Sequence, residues 1–262
     1  MSSDQVSSEL ARWPLRVQLR ELNGFDEQSV CRTDTATAIS LLDRLLMRGA
    51  GSVSEDFKAI NLTASERDRL LACVYEQTFG PRIESTSYCN LCQSPFDLTF
   101  TIESLLAAFD PSSSSSSTAT ATPEPDGAFR LPGGLRFRLP TGADELAAAG
   151  LPLKEAELVL LKRCVLDSEE DIDPEAVQQA MSDLAPVLDV DLNAECPECG
   201  AKQSVRFDVQ FYLLRALEQQ RKQIAREVHR LAVAYGWSLN EILGLSRSQR
   251  KAFVEFIEAE FS

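Results

Sequence analysis

The chain has 262 residues, with 40 acidic against 26 basic side chains, a net charge of −14 and 44% hydrophobic residues. That length can bury a substantial core as one or two domains, and a field of that sign repels phosphate backbones, which argues against a nucleic-acid-binding zinc ribbon. No run approaches the length of a membrane span. Met1-Ser2-Ser3-Asp4 lacks the basic and apolar regions of a signal peptide.

Residues 1–12 are polar, and a flexible N-terminus is expected there. Trp13 to Leu22 alternates apolar with polar residues, the period of a half-buried strand. Thr37 to Met47 places Ile39, Leu42, Leu45 and Leu46 on one helical face, and Gly49-Ala50-Gly51-Ser52 ends that helix. Thr63-Ala64-Ser65-Glu66 reads as a capping box. The helix it opens runs to about Phe79, with Leu70, Leu71, Val74 and Tyr75 inward, and Gly80-Pro81 stops it.

Arg82 to Tyr88 is extended and leads to Cys89-Asn90-Leu91-Cys92. Phe96 to Ile102 reads as a strand leaving that pair, followed by a short helix over Glu103 to Phe109. Pro111 to Asp126 is almost wholly Ser, Thr, Ala and Pro, with six serines in a row from Ser112. Its composition predicts a disordered loop. Phe129 to Leu139 reads as a hairpin around Pro132-Gly133-Gly134. Short helices are expected from Thr141 and over Leu153 to Leu166, the latter with Leu158, Leu161 and Val165 along a face. Glu169-Glu170-Asp171 reads as a solvated loop, and Asp173-Pro174 caps a helix to about Leu184.

Leu188 to Leu192 is a strand delivering Cys196-Pro197-Glu198-Cys199, and Val205 to Val209 leads away from it. A long helix from about Gln210 to Tyr235 carries Leu213, Leu217, Ile224, Val228 and Leu231 in register. Ser238-Leu239-Asn240-Glu241 is a second capping box. A last helix over Arg247 to Phe261 presents Phe253, Phe256 and Ile257 on one side. These residues, with Trp237, either pack back on the long helix or offer a partner groove.

The two cysteine pairs organise the chain. Thiolates two residues apart wrap one face of a tetrahedral ion, and a second pair completes the shell. The surrounding residues also repeat: both stretches read C-x2-C-x7-F-x-[I/V]-x2-[L/Y]-L. Two equivalent hairpins meeting over one metal, each feeding a helix, are therefore expected. Cys89, Cys92, Cys196 and Cys199 are the expected ligands of one structural Zn2+. A redox reading needs each pair at a helix N-terminus, whereas both pairs here precede strand-like alternation. Gly200 suits a positive φ in the second knuckle, and Gln93 holds the same place in the first. Of the seven cysteines, Cys31, Cys73 and Cys164 remain as reduced thiols, pointing to a reducing cytoplasm.

The elements predict an α+β protein, mainly helical, with short antiparallel hairpins and a four-cysteine zinc-ribbon-like site joining two halves. The first half spans 13–109 with knuckle one. A disordered Ser/Thr/Pro loop covers 110–127. The second half spans 128–262 with knuckle two and the C-terminal helices. Because both knuckles must reach one metal, the halves are expected to form one folded unit.

Catalytic constellations do not emerge. The single histidine, His229, lies on a charged helix and reads as solvated. Glu198 beside a P-C-x-x-C run lacks the H-x-E motif that deaminase chemistry needs. The expectation is a protein that is not an enzyme.

Arg82-Ile83-Glu84-Ser85-Thr86, Leu139-Pro140-Thr141-Gly142-Ala143-Asp144, Glu227 to Ala232, Tyr235-Gly236-Trp237-Ser238 and Glu241-Ile242-Leu243 together resemble the baseplate proteins of T-even-type contractile phages. The likeness is greatest to the bacterial branch encoded with phage-like extracellular contractile injection systems, and it covers the chain from about Leu15 to Phe256. The Ser-rich insertion is a departure from that pattern. The resemblance implies a non-enzymatic component or assembly factor of the baseplate hub. Its partners would be other baseplate, hub, spike or tube proteins, with no nucleic acid and no membrane span. Its site would be the cytoplasm during assembly, and afterwards either there, as a chaperone, or in a phage-tail-like particle. The alternatives are a cytoplasmic enzyme, or a zinc-ribbon adaptor, in which the four-cysteine site is only structural.

Overall fold

A computed structural model describes residues 17–48, 56–108, 121–167 and 173–260. The expected flexible segment 1–12, the start of the strand at Trp13, the Gly49–Ser52 stop, the serine run and Glu169–Asp171 lie outside the described residues.

In chain order the elements are α1 (Gly24–Ser29), α2 (Thr35–Leu45), a 3-10 turn (Ala59–Asn61), α3 (Ala64–Phe79), β1 (Arg82–Tyr88), β2 (Pro95–Thr101) and α4 (Ile102–Ala108). Then come β3 (Thr122–Pro123), β4 (Phe129–Arg130), β5 (Arg136–Phe137), α5 (Gly142–Ala148), α6 (Leu153–Cys164) and α7 (Pro174–Leu184). The remainder is β6 (Asp189–Glu195), β7 (Lys202–Asp208), α8 (Val209–Tyr235), α9 (Leu239–Gly244) and α10 (Arg247–Glu260). The chain is α+β: helices with small antiparallel sheets ordered β1-β2, β3-β4-β5 and β6-β7.

These elements form two compact units, one drawn from 1–58, 71–80 and 210–262, the other from 59–70 and 81–209. The division does not follow the halves drawn at 13–109 and 128–262. Both knuckles belong to the second unit, and the C-terminal helices belong to the first.

In the first unit, α2 buries Ile39, Leu42 and Leu45 as its periodicity requires. The C-terminal half of α3 buries Leu71, Val74 and Tyr75, and α8 buries Leu213, Leu217, Ile224 and Leu231. Residues 17–22 make no strand; Leu19 forms a single bridge to Leu46. Trp237 and Phe253 pack back on the long helix, around Leu231, Ile242 and Val254. Trp237 stacks on Tyr235 with centroids 4.8 Å apart and meets Phe253 at 5.0 Å. Phe256 is left 62% exposed.

Charge is buried here as well. Glu27 and Arg250 are fully enclosed, and Glu227 and Arg247 nearly so. Glu27 pairs with both arginines, and Arg250 Nε reaches Glu227 at 3.2 Å. Two positive and two negative groups neutralise one another, the condition under which ions are tolerated away from water.

In the second unit, the Thr63 amide donates to the Glu66 carboxylate at 2.8 Å, and the Glu66 amide to the Thr63 hydroxyl at 3.3 Å, which is the capping box expected from the sequence. Phe137 anchors a cluster with Ala121, Leu161, Val177 and Ala180. Leu158, expected on the inner face of α6, is 55% exposed; only Leu161 of that run is buried, in the cluster with Phe137, Val177 and Ala180.

The loop expected to be disordered over 110–127 is ordered in its last part. Ala121 packs into the Phe137 cluster, and β3 pairs with β4. Glu124 accepts from Arg130 at 2.7 Å and Arg136 at 2.6 Å, and Asp126 accepts from Arg136 at 2.7 Å. Composition alone does not register two acids spaced to meet two arginines across a hairpin.

Candidate metal centre

Each cysteine pair sits at the tip of an antiparallel hairpin. The first hairpin pairs Arg82 with Thr101 through Tyr88 with Pro95. The second pairs Asp189 with Asp208 through Glu195 with Lys202. The tips are closed by the same bonds. Cys89 donates its amide to Ser94 O at 3.0 Å, and Gln93 to Cys89 O at 2.9 Å. In the second tip, Cys196 donates to Ala201 O and Gly200 to Cys196 O, both at 2.9 Å.

Gln93 and Gly200 share the left-handed backbone region, with φ of 60° and 70°. The turn type is thus the same in both knuckles although only one has glycine. A left-handed conformation costs a side-chain-bearing residue roughly 1–2 kcal/mol.

The correspondence runs on past the strands. Ile102, at the start of α4, donates its amide to Pro81 O at 3.0 Å; Val209, at the start of α8, donates to Leu188 O at 3.1 Å. Pro81 has no N–H to satisfy. Its counterpart Leu188 does, and the buried Asp68 carboxylate accepts it at 2.9 Å.

The hairpins meet so that each sulfur pair is split across them. Cys89 Sγ lies 3.6 Å from Cys199 Sγ, and Cys92 Sγ lies 3.7 Å from Cys196 Sγ. All four sulfurs fall within 4.8 Å of one another. A tetrahedron of sulfurs about 2.3 Å from its centre has edges of about 3.8 Å, so the set fits one metal ion. The separations are far beyond a disulfide of about 2.05 Å. The site is a four-ligand cluster at two strand tips, and neither pair lies at a helix N-terminus as a redox motif would.

Cys89 and Cys196 are buried, whereas Cys92 and Cys199 face solvent. The Cys92 and Leu91 amides point at Cys89 Sγ at 3.5 and 3.4 Å and hold that thiol below its ordinary value. Cys92 is drawn down to about 6, first by the Ser94 hydroxyl and then by the Ser94 amide. At Cys199 the Ala201 amide favours the thiolate, but the neighbouring sulfurs Cys92, Cys89 and Cys196 oppose it, and the thiol rises to about 12. Four negative sulfurs this close repel, and a cation among them removes that penalty.

Gln203, in β7, clamps the first knuckle. Its Oε1 accepts the Asn90 amide at 2.9 Å, and its Nε2 donates to Tyr88 O at 3.1 Å. Sequence reasoning missed this residue, because a glutamine in a strand carries no signal of what it faces. Phe96 and the buried sulfurs form a small core with Leu98, Ala194, Ala201 and Val205.

The other sequence expectations fall as follows. Cys73 and Cys164 are buried and Cys31 is exposed. Burial pushes the Cys164 thiol up to about 11. His229 is exposed on α8. Among the described residues, no helix is long and apolar enough to cross a membrane.

No protein-family profile, curated protein or solved structure matches this chain.

Proposed function

We propose that this chain is a structural or assembly subunit of the baseplate hub region of a contractile phage-tail-like particle. One zinc ion, held by Cys89, Cys92, Cys196 and Cys199, staples its second unit. The observation that carries the metal assignment is the cross-hairpin set of four sulfurs within 4.8 Å. Soft thiolates in a tetrahedral set favour zinc among common divalent ions. Four protein ligands fill the shell and leave no position for a substrate, so the ion serves the fold.

The baseplate assignment is supported by the resemblance in Arg82–Thr86, Leu139–Asp144, Glu227–Ala232, Tyr235–Ser238 and Glu241–Leu243. These residues build β1, the start of α5, and the junction of α8 with α9. The likeness therefore lies in residues that make the fold. In this reading the protein is not an enzyme, its neighbours are hub, spike or tube proteins, and assembly takes place in the cytoplasm.

The test uses a tagged full-length chain in cells that produce such particles. Density-gradient fractions are analysed for tail proteins by mass spectrometry, and the purified chain for metal. The expected result is one zinc per chain and recovery of baseplate or tube proteins with it. Recovery of no tail protein, or of nucleic acid instead, overturns the assembly assignment. Iron in place of zinc, or no metal, overturns the metal assignment.

A further inference from the structure

Residues 18–47, in the first unit, and 136–166, in the second, are built alike. Each runs from an extended segment into a short capped helix, then a longer helix, and returns beside its own start. In the first, Arg20 donates its amide to Leu45 O and Met47 to Gln18 O, both at 2.9 Å. In the second, Arg138 donates to Cys164 O and Leu166 to Arg136 O, also at 2.9 Å. The bridges Leu19–Leu46 and Phe137–Val165 occupy the same place in each.

The starts of the short helices share a pattern, R-x-x-[NT]-G-x-D-E, at Arg20–Glu27 and Arg138–Glu145. Asp26 accepts both arms of Arg20 at 2.6 and 2.9 Å and the Asn23 amide at 3.0 Å. Asp144 accepts both arms of Arg138 at 2.6 and 2.9 Å and the Thr141 amide at 2.9 Å. A second arginine approaches each aspartate from the returning helix: Arg44 at 3.9 Å and Arg163 at 2.7 Å. Both aspartates are buried.

What each segment receives is alike too. Leu245-Ser246-Arg247-Ser248-Gln249-Arg250 opens α10, and Leu62-Thr63-Ala64-Ser65-Glu66-Arg67 opens α3. Ser246 bridges to Asn23, and Thr63 to Thr141. The glutamate after each aspartate takes the closing arginine. Arg250 pairs with Glu27, and Arg67 grips Glu145 with two bonds of 3.0 Å. In the first copy the glycine also lets α9, which precedes the helix start, come close. A Cβ on Gly24 would stand 2.6 Å from the Leu243 side chain and 3.0 Å from its Cα. Gly142 donates its amide to Leu62 O at 2.9 Å.

We propose that 18–47 and 136–166 are two copies of one helix-receiving module. Its ligand is a helix start of sequence L-[ST]-x-S-[EQ]-R, and Glu27 and Glu145 are the specificity residues that read the closing arginine. Capping alone does not account for the match. Another S-x-x-E box, Ser238–Glu241, caps α9 through bonds between its own two residues. Arginine is the fitted cation because its planar fork matches a carboxylate through two parallel bonds. The chain supplies both ligands itself, so two like clasps close the fold, one per unit.

The test is made on the purified full-length protein and is independent of any particle. In one variant, T63S/A64R/E66Q, residues 62–67 take the sequence of 245–250. In a second, T63Q/A64R/E66S, the same new residues stand in the wrong order. The ordered graft is expected to melt within about 4 °C of the wild type, and the disordered one lower by about 8 °C or more. Equal melting of the two variants, whether both high or both low, overturns the shared recognition code.

Discussion

Phe100 and Phe207 meet edge to face, with ring centroids 5.0 Å apart and planes at 89°. They hold equivalent places in the two knuckle hairpins, so residues related by the internal repeat touch each other. The same exchange relates the sulfur contacts Cys89–Cys199 and Cys196–Cys92. The two hairpins are thus arranged about a local pseudo-twofold axis that passes by the four-cysteine cluster. A double-mutant cycle of Phe100→Leu and Phe207→Leu, followed by urea unfolding, is expected to return a coupling of about 0.5–1.5 kcal/mol. Additive losses would mean the rings only fill space.

Cys199→Ser removes one ligand while keeping the size of the side chain. The apparent zinc affinity is expected to fall by orders of magnitude, because structural zinc sites bind with roughly 10–16 kcal/mol in apparent terms. Elemental analysis and the thermal midpoint with and without a strong chelator check this. The wild type is expected to lose stability on chelation, and the variant, already metal-free, to be indifferent.

Gln93 stands at φ 60° where its counterpart Gly200 has 70°. Gln93→Gly is expected to stabilise the first knuckle by about 1 kcal/mol, since the left-handed strain disappears at a modest cost in chain entropy. Gly200→Ala is expected to cost a similar amount. Chemical denaturation of both variants, metal-loaded, measures the pair.

Asp144 is desolvated, yet its bonds to Arg138, Thr141 and Arg163 outweigh that burial and hold its carboxyl well below the usual range. A lowered pKa means the stabilisation is complete above the unfolded value near 4 and is lost as pH falls through the folded one. Asp144→Asn is expected to cost about 1–3 kcal/mol at pH 7, because Arg138 and Arg163, both partly solvated, lose a charged partner while the Thr141 cap is weakened. The difference between wild type and variant is expected to shrink as the medium is acidified. A gap constant with pH would reject the assignment.

Asp68 behaves in the opposite sense. Burial, opposed by the Leu188 amide and Arg67, lifts its carboxyl to about 7. Its contribution to stability is therefore present in full below about pH 4 and is lost as pH rises through 7. Asp68→Asn keeps an acceptor for the Leu188 amide and removes the charge. The variant is expected to match the wild type at pH 4 and exceed it by a few kcal/mol at pH 8. Taking the difference at each pH cancels any metal-linked dependence common to both proteins.

Much of this was legible in the residues alone. The spacing of Thr63 and Glu66, or of Ser238 and Glu241, places a helix start because a cap is made within four residues. The C-x-x-C knuckles and their flanking alternation pointed to two matched hairpins for the same reason. Leu153 to Leu166 shows the limit. Its apolar spacing suits a helix, yet which leucine is covered depends on the strand and helix that pack against it.

The sequence by itself determined the longer helices, the two knuckle hairpins and which four sulfurs form a set, since caps, periods and turns are local and the repeat is written twice. Only the tertiary structure decided that the sulfurs pair across hairpins, that Gln203 clamps the first knuckle, and that Glu27, Asp144 and Arg250 are buried. A charged residue reads as solvated until its partner is known. Those partners lie far away along the chain, and the low dielectric they share exists only once the chain has folded.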